Sequence, residues 1–374
     1  MKILLVTDGI FPFVIGGMQK HAYYLSHSLS HLGHEVHVIV PKLKGGKRYD
    51  ATIDNIKYHE IERKSWRFPL HYLLEEWQYS SKCWDFIFSS KKNFSGFDAI
   101  ITKGFTTVAW KKNRDNVPLV YSQLHGLEMF QRTLNLRTKL EYFPLRIFAE
   151  RVLKVSDVIL SYGGKIKMLH ENVLGSDEKL FLFHGGVLEE RVVKKIEITR
   201  RPVRLLFIGR NERRKGIPEL NKMLNAMLSS GANFEIDWVG ELPKPQQIDS
   251  EKVYYHGLVS SAEKYNSILD RCDVLLLPSI SEGFPTVILE AMSRGLTVLA
   301  MNVGAISEII TSSNGWLEED YSGFQSKLKE IIQLSTDEID SKKKNALLTV
   351  KNEYLWDTLA QSLTNMIQSR NDSR

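Results

Sequence analysis

The sequence predicts an α/β protein made of two doubly wound parallel sheets. Short apolar segments alternate with amphipathic segments in two separate series, which is typical of repeated strand–helix–strand units. The 374 residues also exceed what one ordinary core accommodates, and this favours two domains. We expect a Rossmann-like first domain over residues 1–190, a Rossmann-like second domain over 203–350, and a C-terminal helix within 351–374.

The first series opens with an apolar strand near residues 2–7, followed by a loop and a helix. Apolar residues recur in that helix at intervals of three and four, at Met18, Ala22, Leu25, Leu29 and Leu32. Gly33 is expected to end the helix, and a strand resumes at 35–40. Four further strands are predicted in this series, at 99–102, 119–122, 158–161 and 180–183.

The second series follows a charged stretch, residues 194–202, which we interpret as a linker. Residues 203–208 are nearly all apolar, as expected for a strand covered on both faces. Ser260 and Glu263 are spaced as a capping box for a helix that reaches about Arg271. Four more strands are predicted, at 234–239, 253–256, 274–277 and 297–300.

Composition indicates a globular protein of a reducing compartment. Hydrophobic residues make up 43% of the chain and charged residues 25%. The two cysteines, Cys83 and Cys272, form neither a CxxC pair nor a disulfide framework, which favours the cytoplasm. Asp8 interrupts the apolar start too early for a signal peptide, and no apolar run approaches the ~20 residues of a membrane span.

The positive charge is concentrated in one region. Net charge is +6, and residues 41–114 hold 15 Lys and Arg against 8 Asp and Glu. The same region carries eight aromatic residues that stand out: Trp66, Phe68, Tyr72, Trp77, Tyr79, Trp84, Phe86 and Phe88. Such a mixture suits peripheral contact with an anionic membrane, and the alternative is a solvated face over its own aromatic core. We expect no nucleic-acid partner, since no recognisable module is present.

The most informative segment directly follows the predicted strand 274–277. Glu282 and Glu290 lie eight positions apart around a Gly-Phe-Pro turn, and Pro285 can occupy the first turn of a helix that starts near Thr286. Unpaired N–H groups at a helix start, together with the helix dipole, favour an anion such as phosphate. The two carboxylates can accept hydrogen bonds from hydroxyl groups. The segment therefore predicts a sugar-nucleotide site.

Three other places are expected to face the same ligand. Ligands of doubly wound sheets bind beyond the carboxyl ends of the strands, and two such domains predict a site in the cleft between them. Gly16 and Gly17 allow close approach of the backbone to a ligand and open a helix. His125 follows a buried strand and can donate to a sugar hydroxyl or a phosphoryl oxygen. Arg210 and Lys215 follow strand 203–208 and are expected to converge on a diphosphate.

No metal or other cofactor is expected. The chain has no DxD triplet, no Walker loop and no HExxH motif. Neutralisation of a diphosphate then depends on Arg210, Lys215 and helix dipoles. The neighbouring Arg213 and Arg214 are expected to face solvent.

Together these residues resemble the family 4 retaining glycosyltransferases (glycosyl transferases group 1), which have the GT-B architecture. The resemblance covers nearly the whole chain. It rests on the Gly16-Gly17 loop, His125, the loop from Gly209 to Gly216, the run from Asp273 to Ser279, the Glu282-x7-Glu290 element and the Gly304 loop. Where the family often has Asn-Gly-Val-Asp, residues 184–188 lack the acidic residue, and no role is assigned there.

The resemblance implies a role for each matching residue. Arg210 and Lys215 bind the donor diphosphate and stabilise charge as it leaves, Glu290 binds the ribose, and Glu282 contacts the donor sugar. His125 and the Gly16-Gly17 loop face that sugar from the first domain. The backbone near Phe284 and Thr286 holds the diphosphate, and the remaining donor-binding residues of this segment are Ser279, Gly283 and Pro285.

The resemblance also implies a reaction. A hexose-type sugar would pass from a nucleotide diphosphate sugar, by default a UDP-sugar, to a hydroxyl of a glycan or lipid-linked glycan of envelope, lipopolysaccharide or exopolysaccharide biosynthesis. Transfer would retain the anomeric configuration without a metal, at the inner face of the cell membrane. The final helix would cross back to the first domain. Two alternatives stay open: a sugar-nucleotide epimerase of the same architecture, and an inactive carbohydrate-binding relative.

Overall fold

A computed structural model describes residues 1–43, 45, 49, 56–68, 71–89, 96–111, 117–131 and 136–373, apart from the side chains of 136–138. The chain divides into two compact units. The first contains Met1–Gly185 and the C-terminal segment from Trp356 onward, and the second contains Gly186–Leu355. The predicted boundaries at 190 and 350 each lie five residues from these divisions, whereas the predicted start of the second domain, at 203, lies 17 residues after Gly186.

The first unit is built on a parallel sheet. Its described strands are β1 (Lys2–Val6), β2 (Glu35–Pro41), β3 (Ile56–Ile61), β4 (Ala99–Lys103), β5 (Val120–Gln123), β6 (Val158–Ser161) and β7 (Leu180–Leu182), in the order β3-β2-β1-β4-β5-β6-β7. The helices that follow them are α1 (Gly17–His31), α2 (His71–Ser89), α3 (Leu136–Val155) and α4 (Gly164–Leu174). The order reverses beside β1, so β1 and β4 flank the point where such sheets bind ligands.

Most elements of this unit agree with the sequence analysis. Gly33 follows α1 with a φ of 82°, which is the left-handed conformation expected of it. Strand β3 was not predicted. It lies at the edge of the sheet, and its side chains between Ile56 and Ile61 are exposed or only half-buried. An edge strand that buries little apolar surface leaves a weak sequence signal.

The second unit repeats the architecture. Its strands are β8 (Val203–Ile208), β9 (Phe234–Val239), β10 (Val253–Gly257), β11 (Val274–Leu277), β12 (Thr297–Met301) and β13 (Gly315–Glu318), paired in parallel in the order β10-β9-β8-β11-β12-β13. Its helices are α5 (Ile217–Ser229), α6 (Ala262–Asp270), α7 (Thr286–Ser293), α8 (Ile306–Ile309), α9 (Tyr321–Ile331) and α10 (Thr336–Glu353). The apolar run of β8 is explained by burial on both faces: Leu205 and Phe207 join one core cluster and Leu206 the other.

Two predictions for this unit are wrong. The helix expected to be capped by Ser260 begins one residue later, so Ser261 caps it by accepting from the N–H of Lys264 at 3.2 Å. The stretch 194–202 is not a free linker. Ile196 is buried, and the N–H of Thr199 donates to Asp340 at 2.9 Å, so these two residues anchor the charged stretch to the second unit.

The last helix, α11 (Trp356–Asp372), belongs to the first unit, where it lies against α1. Its buried residues recur at intervals of three and four and include Trp356, Leu359, Leu363 and Ile367. The Trp356 ring contacts the ring of His21 edge-on, with centroids 4.8 Å apart. The chain therefore returns to the first unit after completing the second.

The basic aromatic region at 41–114 is partly a core and partly a surface. Tyr79 and Trp84 of α2 are buried, whereas Phe68 and Trp77 are 44% and 40% exposed. Several residues of this region lie outside the described ranges, among them most of its N-terminal lysines and arginines. Within the part of the chain that is described, no helix combines the length and the hydropathy needed to cross a bilayer.

Acid is expected to destabilise the first unit through His170. This residue is fully buried on α4, its Nδ1 lies 3.0 Å from the Ser161 hydroxyl, and burial lowers its pKa to about 4. The unfolded chain, with an ordinary pKa near 6.5, binds more protons between pH 6.5 and 4, so the free energy of unfolding falls as pH drops through this window. Between pH 7 and 5 the loss is about 2 kcal/mol.

Urea unfolding of the wild type and of His170→Gln at pH 7 and 5 measures this contribution. The variant should lose less stability between the two pH values than the wild type does, by about 2 kcal/mol. Equal losses in the two proteins would show that His170 does not titrate in this way.

Candidate functional site

Two loops of the second unit meet at the carboxyl ends of neighbouring strands. Strand β8 pairs with β11, and the loops that follow them are joined by a hydrogen bond from the Ile280 N–H to the Arg214 carbonyl at 2.8 Å. Gly216 makes the close approach possible. Its φ is 69°, and a Cβ there would lie 2.0 Å from the Pro278 carbonyl oxygen. The loop from Gly209 to Gly216 is therefore fixed against the segment that contains Glu282.

Glu282 is the centre of this contact. Its carboxylate is only 6% exposed, and its Oε1 accepts from Lys215 Nζ at 2.6 Å and from the Ser279 hydroxyl at 2.7 Å. Its Oε2 accepts from Arg214 at 3.2 Å. A buried carboxylate needs such charged and hydrogen-bonded partners. The structure thus brings together three residues predicted for the site, Ser279, Glu282 and Lys215.

The arginines are arranged differently from the prediction. Arg210 does not reach Glu282: its side chain is 76% exposed and its Nε lies 2.9 Å from Glu212. Arg214, expected to face solvent, is only 30% exposed and bridges Glu212 and Glu282. The reason is the short 3-10 helix Arg213–Lys215, which turns Arg214 inward beside Lys215. The expectation for Arg213 is confirmed, because it pairs with Glu219 at the surface.

The helix predicted near Thr286 begins at that residue. Pro285 precedes the first turn as the N-cap instead of lying within it, and no side chain caps the helix. Behind this start, the Ala305 N–H donates to the Gly283 carbonyl at 2.9 Å. The loop of Gly304, whose φ is 61°, approaches so closely that a Cβ would lie 2.3 Å from the Glu282 carbonyl. These contacts fix the helix start. The Ile288 N–H donates to the Pro285 carbonyl at 3.0 Å, which leaves the N–H groups of Thr286 and Val287 to bind an anion.

Glu290 lies one turn into α7, as predicted. Its Oε2 accepts from the Tyr265 hydroxyl at 2.7 Å. Burial and the charge of Glu290 raise the pKa of Tyr265, so the phenol stays protonated and donates. Sequence reasoning missed Tyr265, because nothing in the pattern of α6 distinguishes it from a packing residue.

The first unit contains the other predicted residues. Gly16 caps α1 and Gly17 begins it, as expected for this loop. His125 follows β5, and its Nδ1 lies 2.5 Å from the Tyr162 hydroxyl. Burial, and then the charge of Lys103, hold the pKa of His125 well below its usual range, so the imidazole is neutral.

Lys103 is a buried residue that sequence reasoning passed over. It ends β4, it is fully buried, and its Nζ lies 3.1 Å from His21 Nδ1 and 2.5 Å from Gln123 Oε1. Burial lowers the pKa of Lys103 well below its usual range. A lysine at the end of a fully buried strand, Ala99–Lys103, was the available signal.

The described residues include no group of three or more His, Cys, Asp and Glu side chains placed to hold a metal ion. The arrangement in the second unit offers instead two cations, a hydroxyl and a helix start. That set suits an anionic ligand with hydroxyl groups attached.

Substitution of Gly216 tests how tightly the two loops are fixed. Gly216→Ala is expected to lower the free energy of unfolding of the second unit by about 2 kcal/mol, since the left-handed conformation disfavours a Cβ and the Pro278 carbonyl blocks it. Urea denaturation measures the loss. Gly231→Ala is the matched control: its φ is 78° but a Cβ would meet nothing within 4 Å, so only the conformational cost applies. Equal losses would contradict the close approach.

The fold defines the class of protein. The fold is similar to that of sucrose-phosphate synthase from Thermosynechococcus elongatus, with a TM-score of 0.77 at 14% identity over 100% of both chains. At that identity the likeness concerns the fold alone. The predicted α/β fold of GT-B type is confirmed.

The family follows from sequence comparison. Residues 15–191 match the model described as Glycosyltransferase Family 4, and residues 202–335 match Glycosyl transferases group 1. The chain therefore belongs to the glycosyltransferases that these two models describe, family 4 and group 1, as the resemblance implied.

Two curated relatives illustrate the similarity. The putative colanic acid biosynthesis glycosyltransferase WcaL of Escherichia coli K12 is 23% identical over 66% of the chain and 63% of its own length. The N,N'-diacetylbacillosaminyl-diphospho-undecaprenol alpha-1,3-N-acetylgalactosaminyltransferase of Campylobacter jejuni is 29% identical over 63% of each. The chain thus spans less than two thirds of the length of these relatives.

Proposed function

We propose that this protein transfers a hexose-type sugar from a nucleotide diphosphate sugar, by default a UDP-sugar, to an acceptor hydroxyl, with retention at the anomeric carbon. One observation carries the proposal. Lys215 and Arg214 donate hydrogen bonds to Glu282 next to the start of α7, which no side chain caps, and Glu290 follows one turn later. The cations and the helix amides match the diphosphate of such a donor, and the two carboxylates match the hydroxyl groups of its sugar and its ribose.

Each residue has a proposed part in binding. The diphosphate lies at the start of α7, with Lys215 and Arg214 beside it and the exposed Arg210 free to swing from Glu212 onto it. Glu290 accepts from the ribose hydroxyls, and Glu282 accepts from a hydroxyl of the sugar. His125 is proposed to donate to the sugar as well.

The proposed chemistry needs no nucleophile from the protein. The bond between the anomeric carbon and the diphosphate oxygen breaks through an oxocarbenium-like transition state, and the acceptor oxygen bonds to the same face. A leaving phosphate oxygen takes the acceptor's proton. Lys215 and the α7 amides stabilise the negative charge that grows on the diphosphate, which is the largest effect available to such a site.

Charge neutralisation without a metal is part of the proposal. It follows from the cations at the site and from the absence of a DxD triplet in the sequence. Transfer should therefore continue after treatment with EDTA and dialysis. Activity that is lost with the chelator and regained with a divalent ion would contradict this part.

The acceptor is proposed to be a glycan or lipid-linked glycan of cell-envelope or exopolysaccharide biosynthesis. Support comes from the colanic acid pathway and the diphospho-undecaprenol acceptor named for the two relatives. The exposed Phe68 and Trp77 within the basic region 41–114 support contact with an anionic membrane at its inner face. Cosedimentation with vesicles containing phosphatidylglycerol, but not with phosphatidylcholine vesicles, would support that contact.

The decisive experiment has two stages. Saturation-transfer NMR against a panel of UDP-, GDP- and ADP-sugars identifies the donor, and incubation of that donor with and without acceptor glycans follows. Acceptor-dependent transfer with an unchanged anomeric configuration is the expected result. Conversion of the donor in the absence of an acceptor would indicate the epimerase. If no nucleotide sugar of the panel binds, the inactive relative is indicated.

A further inference from the structure

His125 and Tyr162 meet at the carboxyl edge of the first sheet. His125 follows β5 and Tyr162 follows β6, and these strands are paired in parallel with Tyr121 opposite Val158. The two side chains therefore emerge at the same edge. The Tyr162 hydroxyl oxygen lies 2.5 Å from His125 Nδ1, which is a short hydrogen bond.

The protonation states of both groups are fixed by burial. Tyr162 is 3% exposed, and burial raises the pKa of its phenol well above the usual range, so it keeps its proton. The imidazole of His125 is neutral for the same reason. A neutral imidazole has one N–H donor and one acceptor nitrogen, and its partner decides which is which.

The second ring nitrogen is buried and unused. His125 Nε2 has no hydrogen-bond partner among the described residues, although it is shielded from water. Buried polar atoms without partners are rare, and a ligand is one explanation for such an atom. This atom belongs to His125, which is proposed to bind the donor sugar.

We propose that Tyr162 is a positioning residue that donates its hydroxyl proton to His125 Nδ1 and so fixes the imidazole with its proton on Nε2. The proposal rests on the proposed function for the identity of the ligand. Nε2–H is then a neutral donor for an oxygen of the donor sugar. Without the phenol, the proton can shift to Nδ1, and Nε2 becomes an acceptor with the wrong polarity for that oxygen.

Neighbouring rings hold the imidazole in the orientation that this contact needs. His21 packs edge-on against His125, with centroids 4.9 Å apart, and Tyr162 packs at 5.5 Å. His21 is held in turn by Lys103, whose Nζ lies 3.1 Å from its Nδ1. Packing therefore sets the ring plane, and the Tyr162 hydroxyl sets the tautomer.

The tautomer is measurable in the ligand-free protein. Long-range proton–nitrogen NMR spectra of the full chain, labelled with nitrogen-15 histidine and assigned with His125→Gln, distinguish a protonated ring nitrogen from an unprotonated one. The expected result is a protonated Nε2 and an unprotonated Nδ1 for His125. A proton on Nδ1 would overturn the proposal, and this measurement needs no variant of Tyr162.

Tyr162→Phe removes only the hydroxyl group. We expect its His125 spectrum to show mixed tautomers and kcat/KM for sugar transfer to fall about tenfold, because the bond to the donor sugar is lost in molecules with the other tautomer. Tyr255→Phe, which removes a hydroxyl bonded to the Ile248 N–H in the other unit, should change neither. An unchanged tautomer in Tyr162→Phe, or a kcat/KM equal to that of the wild type, would also overturn the proposal.

The two proposals can fail separately. A protein with the expected tautomer that transfers no sugar would contradict the proposed function and leave the bond between Tyr162 and His125 intact. A transferase with His125 protonated at Nδ1 would contradict only the role of Tyr162.

Discussion

Lys215→Ala is expected to lower kcat for sugar transfer on the order of 10²-fold or more. Lys215 Nζ lies 2.6 Å from Glu282 Oε1, and the lysine side chain is only 13% exposed. A cation held in place before the reaction acts fully on the charge that develops on the leaving diphosphate. Steady-state kinetics with saturating donor and acceptor measure the effect.

A matched control separates this effect from general loss of positive charge. Arg213 lies two residues away in the same 3-10 helix, but it is 49% exposed and pairs with Glu219 at the surface. Arg213→Ala should leave kcat within about threefold of the wild type, because an exposed ion pair contributes little.

The Lys215→Ala variant must also be shown to fold, which circular dichroism measures. In this variant Glu282 keeps Arg214 and Ser279 as partners. A folded Lys215→Ala variant with the kcat of the wild type would remove Lys215 from the mechanism.

The hydrophobic pattern of the sequence predicted most of the fold, because elements such as strand β8 and helix α7 are determined by their own residues and near neighbours. Their bounds follow from an apolar run and from a Gly-Phe-Pro turn, which need no distant partner. Strand β13 was missed. It is half-exposed at the edge of its sheet, and its pairing with β12 is a long-range contact that its own four residues do not reveal.

The candidate site was predictable in its residue types but not in its pairings. Glu282 and Lys215 were identified from motif spacing, but the sequence could not show that one bonds directly to the other. Arg214 was wrongly expected to face solvent, since one turn of 3-10 helix directs it toward Glu282. The contact of Arg210 with a diphosphate stays a prediction. The partners Tyr265 and Tyr162 were missed because each lies far in sequence from the residue it contacts.

Glu290→Ala is expected to weaken binding of the nucleotide diphosphate sugar about 10²-fold while kcat at saturating donor changes far less. The carboxylate is proposed to accept from two ribose hydroxyls, and charge-assisted bonds contribute roughly 1.5–3 kcal/mol each, part of which is offset by water. The ribose does not react, so its contacts are the same in the ground state and the transition state, and their loss appears in Kd.

Two control variants test whether the loss of donor affinity comes from the Glu290 carboxylate. Tyr265→Phe keeps Glu290 and removes only the hydroxyl that donates to it at 2.7 Å, so Kd should rise by no more than about fivefold. Glu251→Ala removes an exposed carboxylate of the same unit and should leave Kd unchanged. Titration calorimetry with UDP, GDP and ADP, and with the sugar nucleotide that binds, measures all three. The nucleoside diphosphates should lose affinity for Glu290→Ala by the same factor as the sugar nucleotides, because the ribose is common to both. A loss confined to the sugar nucleotides would instead place Glu290 on the transferred sugar and exchange its role with that of Glu282.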